Sequence, residues 1–206
     1  MGFKGWPAEA LEFYEGLEAD NSKSYWQAHK STYDDCVLAP MQALLAELES
    51  EFGAGKIFRP YRDVRFSKDK SPYKTHIGAL LAGGGYVQLS SDGLAAGSGR
   101  WHLDPEELSR YRDAVAEDKS GERLSAIVGE LHGTGVELAS HDSLKTVPRG
   151  YPKEHPRGDL LRRKGIAAWR QWPVAAWLGT AKAKDRVVEF YRAAAPLNDW
   201  LAKHVG

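Results

Sequence analysis

At 206 residues, with 42% hydrophobic and 27% charged side chains, the chain is long enough for one cored domain and too apolar to be disordered. Its 28 basic and 28 acidic residues cancel, which argues against a broadly basic nucleic-acid coat. One cysteine excludes an internal disulfide scaffold, and no apolar run approaches the ~18 residues of a membrane span.

The N-terminal stretch turns acidic at once, so a secretory signal is not expected. With Cys36 alone, the expected setting is reducing and cytoplasmic, away from membranes. Pro7 followed by Leu11, Tyr14 and Leu17 predicts a helix over 8–18. After a turn at 19–22, Trp26, Tyr33, Val37, Leu44, Leu48 and Phe52 predict helix over 24–52. Pro40 breaks or kinks it, and Gly53-Ala54-Gly55 ends it. Residues 57–67 fit either period; Val64, Phe58, Phe66 and Pro60 favour a strand. On that strand Arg62 is the single charge on an apolar face, so it needs a partner. A polar loop follows over 68–75. Strands are predicted over 76–82, 86–91 and 93–98. Asp104-Pro105-Glu106-Glu107 carries an N-cap, a proline at the first helical position and a glutamate at the third. It predicts a helix to about 117, followed by one over about 121–132. Residues 140–160 read as loop, 159–163 as a short helix and 165–171 as a strand. A helix over 180–204 is interrupted by Pro196. Strands clustered between helices predict a single α+β domain over 1–206, with a mainly antiparallel sheet packed with helices.

Familiar motifs fail. Gly53-Ala54-Gly55-Lys56 lacks the hydroxyl residue and upstream glycine of a phosphate loop. Gly97-Ser98-Gly99 lacks the first glycine of a nucleophile elbow. His102-Leu103-Asp104 has the spacing of two iron ligands, but the N-cap accounts for Asp104 together with its neighbours. No metal site is expected, and the sequence names no cofactor and no oligomeric state.

Charge is concentrated instead. Residues 56–75 carry seven basic and two acidic groups, and 145–170 carry eight and two. Crowded cations repel, and a bound oxyanion relieves them. Arg59, Arg62, Arg65, Lys70, Lys74, Arg149 and Lys164 are therefore the candidate anion-binding residues, provided the two stretches meet. Asp69, Asp63 and Tyr73 are the candidate catalytic groups, although cations on either side of each aspartate lower its value as a base. Pairing of Asp63 and Asp69 with the cations, to pin the loop, is the competing account.

Arg59, Arg62, Asp63, Arg65 and Phe66, followed by Asp69, Lys70 and Tyr73, spell R-x-x-R-D-x-R-F and then D-K-x-x-Y. This resembles the signature of the bacterial and fungal family catalogued as domain of unknown function 2461. Asn21, Trp26, Lys30 and Tyr33 resemble its N-terminal stretch, with Asp20 where many members have a second asparagine. Val147-Pro148-Arg149-Gly150-Tyr151, Leu160-Leu161 and Lys164 resemble its later segment, so the likeness runs from about residue 5 to about 202. The resemblance supplies no reaction. The leading expectation is binding of, or catalysis on, a small phosphorylated or carboxylated ligand. The alternatives are a nucleic-acid-binding module and a domain that docks a protein partner through its basic loop.

Overall fold

The computed structural model describes residues 2–206. Six strands form one antiparallel sheet in the order β1-β2-β3-β4-β6-β5, and helices pack with it in an α+β fold. The strands are β1 Gly55–Ile57, β2 His76–Leu81, β3 Gly85–Ser90, β4 Gly93–Arg100, β5 Glu137–Ala139 and β6 Ile166–Trp172. β2 and β3 pair from His76 against Ser90 to Leu80 against Tyr86. The turn from β3 into β4 needs glycine. Gly93 has φ +113°, and a Cβ there would lie 2.3 Å from the Trp172 carbonyl oxygen.

The chain divides into two compact units, one running through Ala96 together with Gln171–Glu189, the other Gly97–Arg170 with Phe190–Gly206. The first holds α1 Ala8–Ala19, α2 Lys23–Ala28, α3 Lys30–Thr32 and α4 Ala39–Phe52. Its core includes Trp6, Phe13, Tyr14, Leu17, Trp26, Tyr33, Met41 and Leu44. The predicted single helix over 24–52 is thus several pieces. A π-helical turn, Tyr33–Leu38, precedes Pro40, which sits in the first turn of α4. Proline lacks an N–H and crowds the carbonyl four residues back, and a wider turn relieves that clash.

The strand expected over 57–67 does not form. β1 stops at Ile57, and Phe58 makes one last bond to Gly78 before Pro60, which cannot donate. From Arg62 the chain leaves as a loop, so Arg62 lies on no strand face.

The second unit holds α5 Pro105–Ala116, α6 Asp118–Gly133, the short α7 Gly158–Leu161 and the end of α8 Lys182–His204. Asp104 caps α5 as expected. Its carboxylate accepts from the N–H groups of Glu106 and Glu107, and Glu107 accepts from the Asp104 N–H. Arg157 is 9% exposed. It donates to the carbonyls of Val115 (2.7 Å) and Ala116 (3.0 Å), and to Asp118 (3.0 Å), where α5 ends and α6 begins. Trp200 donates to the Ser120 carbonyl at 3.0 Å. α8 runs on through Pro196, where an interruption was expected, giving up one backbone donor inside a 23-residue helix. Among the described residues no helix is long and apolar enough to cross a membrane.

Candidate functional site

The charged segment forms a closed loop in the first unit. At its neck the Arg62 N–H donates to the Pro72 carbonyl (2.9 Å), and the Lys74 N–H donates to the Pro60 carbonyl (2.8 Å). These bonds frame Tyr61 and Tyr73 as a non-hydrogen-bonded antiparallel pair, whose rings lie 5.4 Å apart. In such a pair the backbone groups of Tyr73 face away from Tyr61 and need other partners. The Asn21 carboxamide supplies both. Its oxygen accepts from the Tyr73 N–H (3.0 Å), and its nitrogen donates to the Tyr73 carbonyl (3.1 Å). The Tyr73 ring, 5% exposed, stacks on Trp26 at 4.4 Å with 6° between planes.

Within the loop, charges pair with one another. Arg62 donates to Asp69, which also accepts from the Ser71 hydroxyl (2.6 Å) and N–H (2.9 Å). Arg65 grips Asp63 with two nitrogens, at 2.7 and 3.0 Å. The Lys70 ammonium donates to the Val64 carbonyl at 3.0 Å. Bonds from Ser71 and Arg62 hold the Asp69 carboxyl well below the usual carboxylate range. Bonds from Arg65, with the charge of Arg59, lower Asp63. Burial raises the Tyr73 phenol. The three candidate catalytic groups therefore hold two carboxylates ionised and one phenol neutral.

One wall of a cleft of about 430 Å³ is made by this loop, through Arg62, Asp69, Ser71 and Tyr73. Lys74, Thr75 and His76 continue it toward β2, and Glu18 and Asn21 close it from the end of α1 and the turn after it. Lys74 is half-buried, with its ammonium 5.2 Å from the Phe58 ring centroid. Among the described residues it has no carboxylate partner. Burial, then the charge of Arg59, lowers its pKa. Burial, then Lys74, likewise lowers the pKa of His76. Glu18 accepts from Ser91 at 2.8 Å. Among the described residues no group of three or more His, Cys, Asp and Glu side chains is placed to hold a metal ion.

Of the candidate residues, the cleft gathers Arg62, Asp69, Tyr73 and Lys74. Arg59 is exposed ahead of the neck, Asp63 and Arg65 lie near the loop apex, and Lys70 braces the loop from within. Arg149 and Lys164 belong to the second unit. Arg149 is exposed there, and Lys164 pairs with Asp142 at 2.5 Å, an ion pair that lowers the Asp142 pKa. Sequence reading assigned no role to Glu18, Ser71, Thr75 or His76. For Thr75 and His76 the signal was adjacency to Lys74 at the start of a predicted strand. Glu18 is distant in sequence and carried no signal.

The chain matches the model of the family described as Conserved hypothetical protein (DUF2461) over residues 9–200, and it belongs to that family. No curated protein and no solved structure matches it.

Proposed function

We propose that this member of the DUF2461 family binds a small phosphorylated or carboxylated ligand in the cleft of Arg62, Lys74 and His76. The observation that carries the reading is Lys74, a half-buried cation with no carboxylate partner among the described residues. A half-buried cation that faces only the Phe58 ring still gains from an anion beside it, and Arg59 nearby makes that gain greater. Arg62 uses Nη1 for Asp69, leaving the other side of its guanidinium fork to turn into the cleft. Thr75 and His76 add neutral donors. Such a set suits an oxyanion with several acceptor atoms.

Catalysis on that ligand is the further step of the same reading, with Asp69 as one of the two carboxylates, with Glu18, that line the cleft. Held ionised and already bonded to Arg62 and Ser71, it is better suited to fixing the arginine than to moving a proton.

Thermal shift with phosphate, sulfate, sugar phosphates, nucleotides and carboxylic acids tests the binding. A ligand at 100 times its Kd should add about 2.7 kcal/mol, which is a rise of roughly 5–10 °C for a chain of this size. Lys74→Met should keep the fold and weaken that ligand at least tenfold. If no anion raises Tm, or if Lys74→Met binds as wild type does, the proposal falls.

pH supplies a second check. The lowered pKa of His76 leaves its ring neutral at pH 7. Its unfolded-state pKa, about 6.5, is the higher one, so without ligand this group costs stability as pH falls below that value. With sulfate, which stays a dianion, the protonated ring adds a favourable charge. Sulfate affinity measured by calorimetry should therefore rise from pH 7 to pH 5. A flat or falling profile removes His76 from the site.

A further inference from the structure

We infer a second binding element on the first unit: the apex of the loop 62–72 takes single-stranded nucleic acid by stacking a base on Phe66. Phe66 is 96% exposed, more than any other large apolar residue among the described residues. A lone exposed ring is unremarkable on a slack loop. This loop is not slack. Asn21 and Trp26 fasten Tyr73 at its neck, Arg62 and Asp69 clasp it, and Lys70 ties it to Val64. The loop's own bonds thus hold up a ring that takes no part in them.

The surroundings of the ring fit a nucleic-acid strand. The Arg65 guanidinium carbon lies over the ring, 5.9 Å from its centroid, and Asp63 holds that guanidinium through two nitrogens. With Arg65 over one face of the ring, a base would stack on the opposite, open face. Lys68 and Arg59 are exposed and, among the described residues, have no carboxylate within ion-pair distance. With Lys70 they make three exposed cations on or next to the loop, available to phosphates along a bound strand. An anionic membrane is the weaker fit, because Asp63 and Asp69 share the loop and a single ring would have to carry them to the headgroups. The element is separate from the anion cleft, because neither Phe66 nor Arg65 lines that cleft.

Fluorescence anisotropy with labelled ten-nucleotide oligo(dT) and oligo(U), on the full chain at 50 mM salt, tests this. Both should bind. Phe66→Ala should weaken them about 5- to 150-fold, the range of one lost stacked base, while Phe66→Trp keeps or improves binding. Both variants should retain the wild-type Tm, because the ring fills no core. Three phosphate contacts predict a log–log salt slope of about −2. Lys74→Met should leave oligonucleotide binding unchanged, which separates this element from the cleft. The inference is overturned if neither oligonucleotide binds, or if Phe66→Ala binds as well as wild type. Phe66-dependent binding to phosphatidylserine vesicles without oligonucleotide binding overturns it in favour of a membrane.

Discussion

Arg157→Met is expected to lower stability by about 3 kcal/mol. Methionine has nearly the length of the arginine stem but none of its donors. The carbonyls of Val115 and Ala116, which end α5, would lose the nitrogens that now reach them at 2.7 and 3.0 Å. Asp118 is well solvated, so its loss of a partner adds little. The cost therefore resides in the unmet carbonyls and in the link between α5 and α6. At roughly 2–4 °C per kcal/mol for a chain of this size, Tm should fall by about 6–12 °C. Arg157→Lys should recover only part of this, since one ammonium cannot span three acceptors arranged for a fork. A Tm within 2 °C of wild type for Arg157→Met would mean that water replaces the guanidinium without loss.

Asn21→Leu is expected to cost about 2 kcal/mol and to remove ligand binding in the cleft together with it. Leucine keeps the volume of the side chain but leaves the N–H and carbonyl of Tyr73 without partners. Asn21→Asp should do comparable damage, because a carboxylate accepts from the N–H but sets a negative charge against the carbonyl. Asn21→Gln tests geometry alone. Tm and anion affinity should fall in parallel across these variants. Normal anion binding by a destabilised Asn21→Leu protein would mean that the cleft keeps its shape without this fastening.

The fold class was legible because the sheet-forming stretch around 76–98 breaks into short strand-length runs joined by glycine-rich turns, while Asp104-Pro105-Glu106-Glu107 announces its helix locally. The loop was harder. Residues 57–67 have strand-forming side chains, but Pro60 cannot donate to the ladder, and beyond it Arg62 pairs with Asp69, seven residues on, inside the loop. Propensity within a window cannot register such a bond. Charge counting found the segment but did not separate its roles. Arg62, Arg65 and Lys70 bond within the loop, whereas Lys74 stands in the cleft without a carboxylate partner among the described residues. The same counting grouped Arg157 with the basic stretch of 145–170, although its guanidinium turns inward to helix carbonyls. Composition reports how much charge a segment has and is silent on which way each side chain points. The bond from Asn21 to Tyr73 spans 52 residues, and nothing in the spacing of either residue announces it.

That bond has one more consequence. A neighbouring strand would hold Tyr73 through a ladder of many bonds, but here one carboxamide does so through two. The loop it secures carries Arg62, Arg65, Lys68 and Lys70, each followed by a residue other than proline, and so offers four peptide bonds of the kind trypsin cuts. Cleavage there requires the neck to open far enough for the chain to enter a protease. The rate of nicking at these bonds therefore reports the opening of the neck, and a ligand that bridges Arg62 and Lys74 would slow it. The cleft thus comes with its own occupancy gauge, readable on a gel without knowledge of what the ligand is.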